Sequence, residues 1–143
     1  MGTPAASDSL SSKTMKYLLD TDILIDILRG YLPSVEWFAT LTERPAVISV
    51  GVMELIQGCR SKRDLALVQQ LIAPMEIWYP TSEEMRAALE IFTVHFLTNR
   101  MSVIDAIVGA VAASRSTPLC SFNTRHYQVV QGLELCQPYS KSV

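Results

Sequence analysis

Charge of one sign is scarce in this 143-residue sequence: 12 Lys+Arg stand against 14 Asp+Glu, a net charge of -2. No broad basic field is available to hold nucleic acid through its phosphates alone. A polynucleotide partner would therefore need bound cations for part of its attraction. Cysteine is also sparse: Cys59, Cys120 and Cys136 make an odd count without C-x-x-C spacing. That excludes a disulfide framework and a zinc knuckle, and fits a reduced, cytoplasmic chain. No run approaches the roughly 20 apolar residues of a membrane span. The N-terminus lacks the apolar stretch of a secretory signal. Serine- and cysteine-hydrolase chemistry is equally unsupported, since there is no G-x-S-x-G elbow and no convincing Cys-His pairing.

What is present is a chain that is 49% hydrophobic, enough for one domain with one sizeable core. Residues 1–14 are small and polar and read as a disordered leader, which leaves residues 15–143 as the folded domain. From there short apolar runs alternate with helical patterns. Tyr17-Leu18-Leu19, Ala46 to Ser49, Glu76 to Tyr79 and Pro118 to Ser121 read as strands, with Leu133-Glu134-Leu135 as a candidate edge strand.

Helices are expected over Ile23 to Leu28, ended by Gly30 and Pro33, then Val35 to Thr42, Val50 to Cys59 and Arg63 to Ile72. A longer one should start near Thr81-Ser82-Glu83-Glu84 and run to about Thr98, followed by Val103 to Ser114. Strands separated by helices imply an α/β domain of three layers, a central parallel sheet of four to five strands covered on both faces. Ligands of such open sheets collect beyond the carboxyl ends of the strands, where strand order reverses.

Three acids occupy such places. Asp20 ends the first strand, although Asp20 and Asp22 could equally begin a helix with Thr21 or Asp22 as cap. Asp26, one turn on, reads as a solvated face residue. Glu54 falls opposite an apolar arc of Val52, Met53, Leu55 and Ile56, and Gly51 and Gly58 on its side would leave bare backbone around it. Asp105 is the only charged residue in MSVIDAIVGAVAAS. A carboxylate in a helix buried nearly all round costs several kcal/mol unless paired or bound to a cation. The S-x-x-D spacing from Ser102 to Asp105 also suits a capping box, and capping and metal binding are compatible. Carboxylates at strand ends without clustered His or Cys make a hard oxygen site, suited to Mg²⁺ or Mn²⁺ rather than zinc. Such ions serve phosphoryl transfer: they relieve repulsion among the acids and polarise a phosphate oxygen.

YLLDTDILID, ISVGVMELIQG, SVIDAIVGAVAA and LCSFNTRHY with GLEL after it resemble, in order and approximate spacing, the blocks of PIN-domain toxins of the VapC type. The resemblance spans Met15 to about Tyr139. It implies a PIN-like fold and an endoribonuclease that hydrolyses RNA phosphodiesters with Mg²⁺ or Mn²⁺. Asp20, Glu54 and Asp105 fall on the family's metal-coordinating acids, and Ser121 on a supporting hydroxyl position. In the family's scheme a metal-activated water attacks the phosphorus. Many relatives carry a fourth acid after the fourth strand. The matching position here is Asn123, whose amide can ligate through oxygen but adds no charge. Asp22 is a further supporting candidate. Arg100, Arg125 and His126 could line the groove and His126 could act as an acid or base, though no partner for it is visible in the sequence, whereas Trp37, Trp78 and the tyrosines read as core or interface residues.

The resemblance further implies an RNA substrate, a homodimer, and an antitoxin protein whose C-terminal segment blocks the acidic groove. The apolar helices at Val35 to Thr42 and Val50 to Ile56 suit such interfaces. Two alternatives accompany it. The first is an interaction module that kept the fold and lost activity, for which Asn123 speaks. The second is a haloacid-dehalogenase-like phosphatase with Asp20 as nucleophile, prompted by Asp20-Thr21-Asp22 but lacking that family's later lysine and paired-acid blocks.

Overall fold

The structure is a computed structural model that describes residues 15–141, so the leader expected over residues 1–14 lies outside the described residues. Five strands, β1 (Leu18–Leu19), β2 (Ala46–Ile48), β3 (Glu76–Trp78), β4 (Leu119–Cys120) and β5 (Leu135–Cys136), form one sheet in the order β3-β2-β1-β4-β5. Every pairing is parallel, with Leu18 opposite both Ala46 and Leu119. The chain moves outward from β1 to β3, then returns to place β4 on the other side of β1. Strand order thus reverses between β1 and β4, which marks the crevice at their carboxyl ends as the ligand-binding place of this topology.

The connecting helices are α1 (Thr21–Leu28), α2 (Leu32–Ala39), α3 (Ser49–Gln57), α4 (Lys62–Ile72), α5 (Ser82–Asn99), α6 (Val103–Ser114) and α7 (Thr124–Tyr127). They cover both faces. Alternation along β1 sends Leu18 into a core with Ala88 of α5 and the run Ala106 to Ala112 of α6. Its neighbour Leu19 enters a second core with Ile23 and Leu24 of α1, Leu55 of α3, and Val68 and Ile72 of α4. The three-layer expectation holds. Among the described residues, no helix is long and apolar enough to cross a membrane.

Local chemistry sets the helix ends. Thr81 and Glu84 close a reciprocal capping box on α5, and Ser61 caps α4 by accepting the Asp64 N–H. Pro33, read from sequence as a terminator of the first helix, instead lies in the first turn of α2, where a missing N–H is harmless. The second helix therefore begins at Leu32, three residues before expectation, and ends at Ala39. The edge strand begins two residues later than expected and ends one later, at Leu135–Cys136, because its register pairs Leu135 with Leu119 and Cys136 with Cys120. The four-residue α7 was not expected at all; a single turn leaves no periodicity to detect.

A clamp ties the far side of the fold. Arg115, just after α6, donates to both oxygens of Glu84 at 2.9 Å and stacks its guanidinium 4.8 Å from the Trp78 ring centroid. Glu84 is buried, and the Arg115 hydrogen bonds hold its carboxyl down at about 2.

Candidate active site

Asp20 follows β1 and is itself the N-cap of α1, where the sequence had offered Thr21 or Asp22 as the cap. Its Oδ1 accepts the Thr21 N–H at 2.9 Å and its Oδ2 accepts the Ser121 hydroxyl at 2.8 Å. Both Asp20 and Ser121 are buried. Ser121 directly follows β4, so the two flank the crossover crevice. Burial is the largest influence on Asp20 and pushes its carboxyl up to about 7, with the Asp22 and Asp105 charges acting in the same direction. Among the described residues no Lys or Arg forms an ion pair with Asp20, Glu54 or Asp105.

Asp105 lies in the first turn of α6, and Ser102 accepts its backbone N–H at 3.0 Å. Its side chain does not complete a capping box with Ser102. Oδ1 accepts the Tyr127 hydroxyl at 3.1 Å, while Oδ2 stands 2.9 Å from Asn123 Nδ2 and 2.7 Å from His126 Nδ1. The expectation that a carboxylate in this apolar helix must be partnered is met: α7 and its N-cap Asn123 supply all three partners. Tyr127 is almost wholly buried, and burial with the neighbouring Asp20 and Asp105 charges raises its hydroxyl well above the ordinary value. Tyr127 therefore remains a donor facing both acids.

Glu54 projects from α3 and is reached through Thr21, whose hydroxyl donates to Glu54 Oε1 at 2.7 Å. The apolar arc expected opposite it is only partly inward. Leu55 is buried, but Met53 and Ile56 are 64% and 42% exposed. The backbone clearance inferred from glycine is also not required at Gly51, where a Cβ would meet Thr21 Oγ1 at an ordinary 3.8 Å. Asp22 accepts the Ile23 N–H and, across the crevice, the Phe122 N–H at 2.8 Å. Burial raises its carboxyl while those two N–H groups lower it. Asp22 thus fastens α1 to the segment after β4.

Asp26, read as solvated, is instead fixed near the C-terminus, accepting the Tyr139 hydroxyl at 2.7 Å and pairing with Lys141 at 3.0 Å. Arg125 is exposed beside His126, and Arg100 is exposed at the left-handed C-cap of α5 with φ of 53°. A cleft of about 550 Å³ opens between α1, α3 and α4. Thr21, Asp22 and Glu54 edge it, and Ile25, Leu28, Leu55, Leu67 and Val68 form an apolar wall.

The donor chemistry fits a hard divalent cation: it is oxygen-rich, Asp20 is raised by burial and by the nearby Asp22 and Asp105 charges, and among the described residues no Lys or Arg pairs with Asp20, Glu54 or Asp105. No three His, Cys, Asp or Glu side chains among the described residues form a ready-made cage. Asp20 and Asp105 meet around Tyr127, and Glu54 stands beyond Thr21. Sequence reasoning placed Thr21 only as a cap candidate, gave Tyr127 no site role, and offered His126 a groove-lining or acid-base role without naming its partners. The signal for His126 was available, since Asn123 and His126 share the i, i+3 spacing of one helical turn.

The PIN domain family model matches residues 17–131. No curated protein matches the chain in sequence. Solved structures share its fold. A chain from a toxin-antitoxin complex of Klebsiella pneumoniae is 19% identical, with 88% of this chain and 100% of that one covered at a TM-score of 0.72. One from DNA-bound VapBC of Salmonella typhimurium is 23% identical over 86% and 98% of the two chains, with a TM-score of 0.74. The sarcin-ricin loop cleaving toxin of Mycobacterium tuberculosis is 14% identical over 83% and 99%, with a TM-score of 0.66.

Proposed function

Since the chain belongs to the PIN domain family, we propose that it is a divalent-metal-dependent endoribonuclease acting as the toxin of a toxin-antitoxin pair. The observation that carries this is the burial of Asp20 at the reversal of strand order, facing Asp105 across Tyr127 with no Lys or Arg ion pair to either acid among the described residues. Asp20 and Asp105, with Glu54 at the rim, would hold Mg²⁺ or Mn²⁺. Bound there, the ion would acidify a water molecule and polarise a phosphate oxygen.

The chain's own groups do the rest. Ser121 and the Thr21 N–H fix both oxygens of Asp20, so that carboxylate cannot rotate to act as a covalent nucleophile without losing two hydrogen bonds. This favours direct attack by water over the covalent aspartyl-phosphate of the phosphatase alternative. Tyr127 orients Asp105, and Thr21 restrains Glu54. Arg125, exposed beside His126, is available for a phosphate contact.

An antitoxin partner is supported by the neighbours drawn from toxin-antitoxin complexes. The cleft fits a segment that is apolar along most of its length and polar where it reaches Thr21, Asp22 and Glu54. A homodimer is supported by apolar side chains exposed on α5, where Val94 is 67% and Leu97 87% exposed. Expression of the chain alone tests the toxin reading. Growth arrest relieved by Asp20→Asn or Asp105→Asn is expected, and harmless accumulation of soluble wild-type protein would overturn it.

A further inference from the structure

β4 and β5 carry two free thiols in register: Cys120 is the pairing partner of Cys136, one step beyond Leu119 and Leu135. Alternation sends the two leucines to the first core and both cysteines to the second, so the thiols share one face of the sheet. Adjacent strands lie about 4.8 Å apart. That spacing falls within the roughly 4.4–6.8 Å of Cα separation that a disulfide spans. The thiols are also hydrogen-bonded to each other, which brings the Cys136 thiol down to about 7 and holds Cys120 well above its ordinary value. Cys120 is fully buried, whereas Cys136 is partly exposed on the edge strand. One sulfur is thus open to a small oxidant, and the other stands directly behind it. Cys59, the third thiol, lies just after α3 and donates instead to the Leu55 carbonyl.

We propose that Cys120 and Cys136 are a modification site, a dithiol that peroxide closes to a reversible disulfide and whose closure loosens the seat of Asp20. The Cys136 thiolate attacks one peroxide oxygen; the S–O bond forms as the O–O bond breaks, and hydroxide leaves and takes up a proton. The Cys120 sulfur then attacks the sulfenic sulfur, the S–S bond forms, and the hydroxyl departs as water with the Cys120 proton. Two thiols are oxidised to one disulfide while one peroxide is reduced to two waters. The crevice is tied to this pair through the backbone: the Asp20 N–H donates to the Cys120 carbonyl and the Ser121 N–H to the Cys136 carbonyl, both at 3.0 Å. A disulfide needs Cβ atoms about 3.8 Å apart, so closing it draws the two strands roughly 1 Å together. Those two bonds take up the shift, and with them the Ser121 hydroxyl that holds Asp20. A strained bridge on an edge strand is the labile kind that a small thiol reduces again. None of this chemistry requires the chain to cut RNA.

The test treats the full chain carrying Cys59→Ser with hydrogen peroxide and reads intact mass, peptide linkage and amide exchange. A mass lower by two hydrogens, a Cys120–Cys136 link within one chain, and recovery of both thiols with glutathione are expected. Cys136→Ser should form no link. In Cys120→Ala the Cys136 sulfur should gain oxygen instead, as sulfenic or sulfinic acid. On oxidation, exchange should quicken roughly threefold or more at the Asp20 and Ser121 amides and stay unchanged at Ala46, on the other flank of β1. Both thiols left free by peroxide, oxygen added without a link, or links only between separate chains would overturn the dithiol. A link formed with unchanged exchange at Asp20 and Ser121 would overturn its hold on the crevice.

Discussion

Ser121 Oγ donates to Asp20 Oδ2 at 2.8 Å, joining residues 101 positions apart in sequence across the line where strand order reverses. This bond pulls the Asp20 carboxyl down against the upward push of burial. Ser121→Ala should therefore raise it further above about 7, leaving more Asp20 protonated at neutral pH. Calorimetry should find Mn²⁺ binding weakened near pH 7 and largely restored near pH 9. An equal loss at both pH values would mean that Ser121 acts on shape rather than on charge.

The same group sets a pH dependence of stability in metal-free protein. The folded state raises Asp20 from 3.8 to about 7, so the folded chain holds this proton more tightly than the unfolded chain. Stability from this group is therefore present below about 4 and lost as pH rises to about 7, the reverse of a salt-bridged aspartate. Thermal melts should show that loss in the wild type and a flatter profile in Asp20→Asn. Saturating Mn²⁺ should recover stability most above about pH 7. A wild-type profile no steeper than that of Asp20→Asn would contradict the assignment.

Glu84 runs in the opposite sense. Its carboxyl is lowered from 4.5 to about 2 by Arg115, so its contribution is present above about 4.5 and lost as pH falls through about 2. Arg115→Ala strands a buried carboxylate and should cost about 1–3 kcal/mol. Denaturant melts near pH 7 measure this directly. The site lies away from this clamp, so metal affinity should be unchanged in the variant.

Tyr139→Phe removes the hydroxyl that donates to Asp26, while Lys141 retains its ion pair with the same carboxylate. A loss of about 1 kcal/mol is expected, the usual net worth of one hydrogen bond. Hydrogen exchange should quicken in α1, which carries Asp26, and not in α6. Uniform quickening across both helices would mean that the contact serves global stability alone.

How much of this was legible in sequence follows from the kind of signal each feature leaves. The helix over Val103 to Ser114 was read with both ends correct, since its apolar run and Ser102 cap are local. Asp105 was singled out because a lone charge in an apolar helix demands partners. Which partners could not be read, because Asn123, His126 and Tyr127 reach it through a single helical turn and a strand crossover. Asp26 was misjudged for a similar reason: its partners Tyr139 and Lys141 come from the far end of the chain. Pro33 was misplaced because the same residue can end one helix or begin the next. The alternation of apolar runs with helical patterns carried the three-layer fold, and the acid-bearing strand ends followed from topology.

Cleavage of total cellular RNA by purified, antitoxin-free protein is the most direct test of metal-dependent ribonuclease activity. Discrete fragments are predicted in Mg²⁺ or Mn²⁺, absent in EDTA and reduced roughly hundredfold or more in Asp105→Asn, the scale of losing several kcal/mol of transition-state stabilisation. Fragments that persist undiminished in EDTA or in Asp105→Asn, or intact RNA from protein shown to bind Mn²⁺, would contradict it.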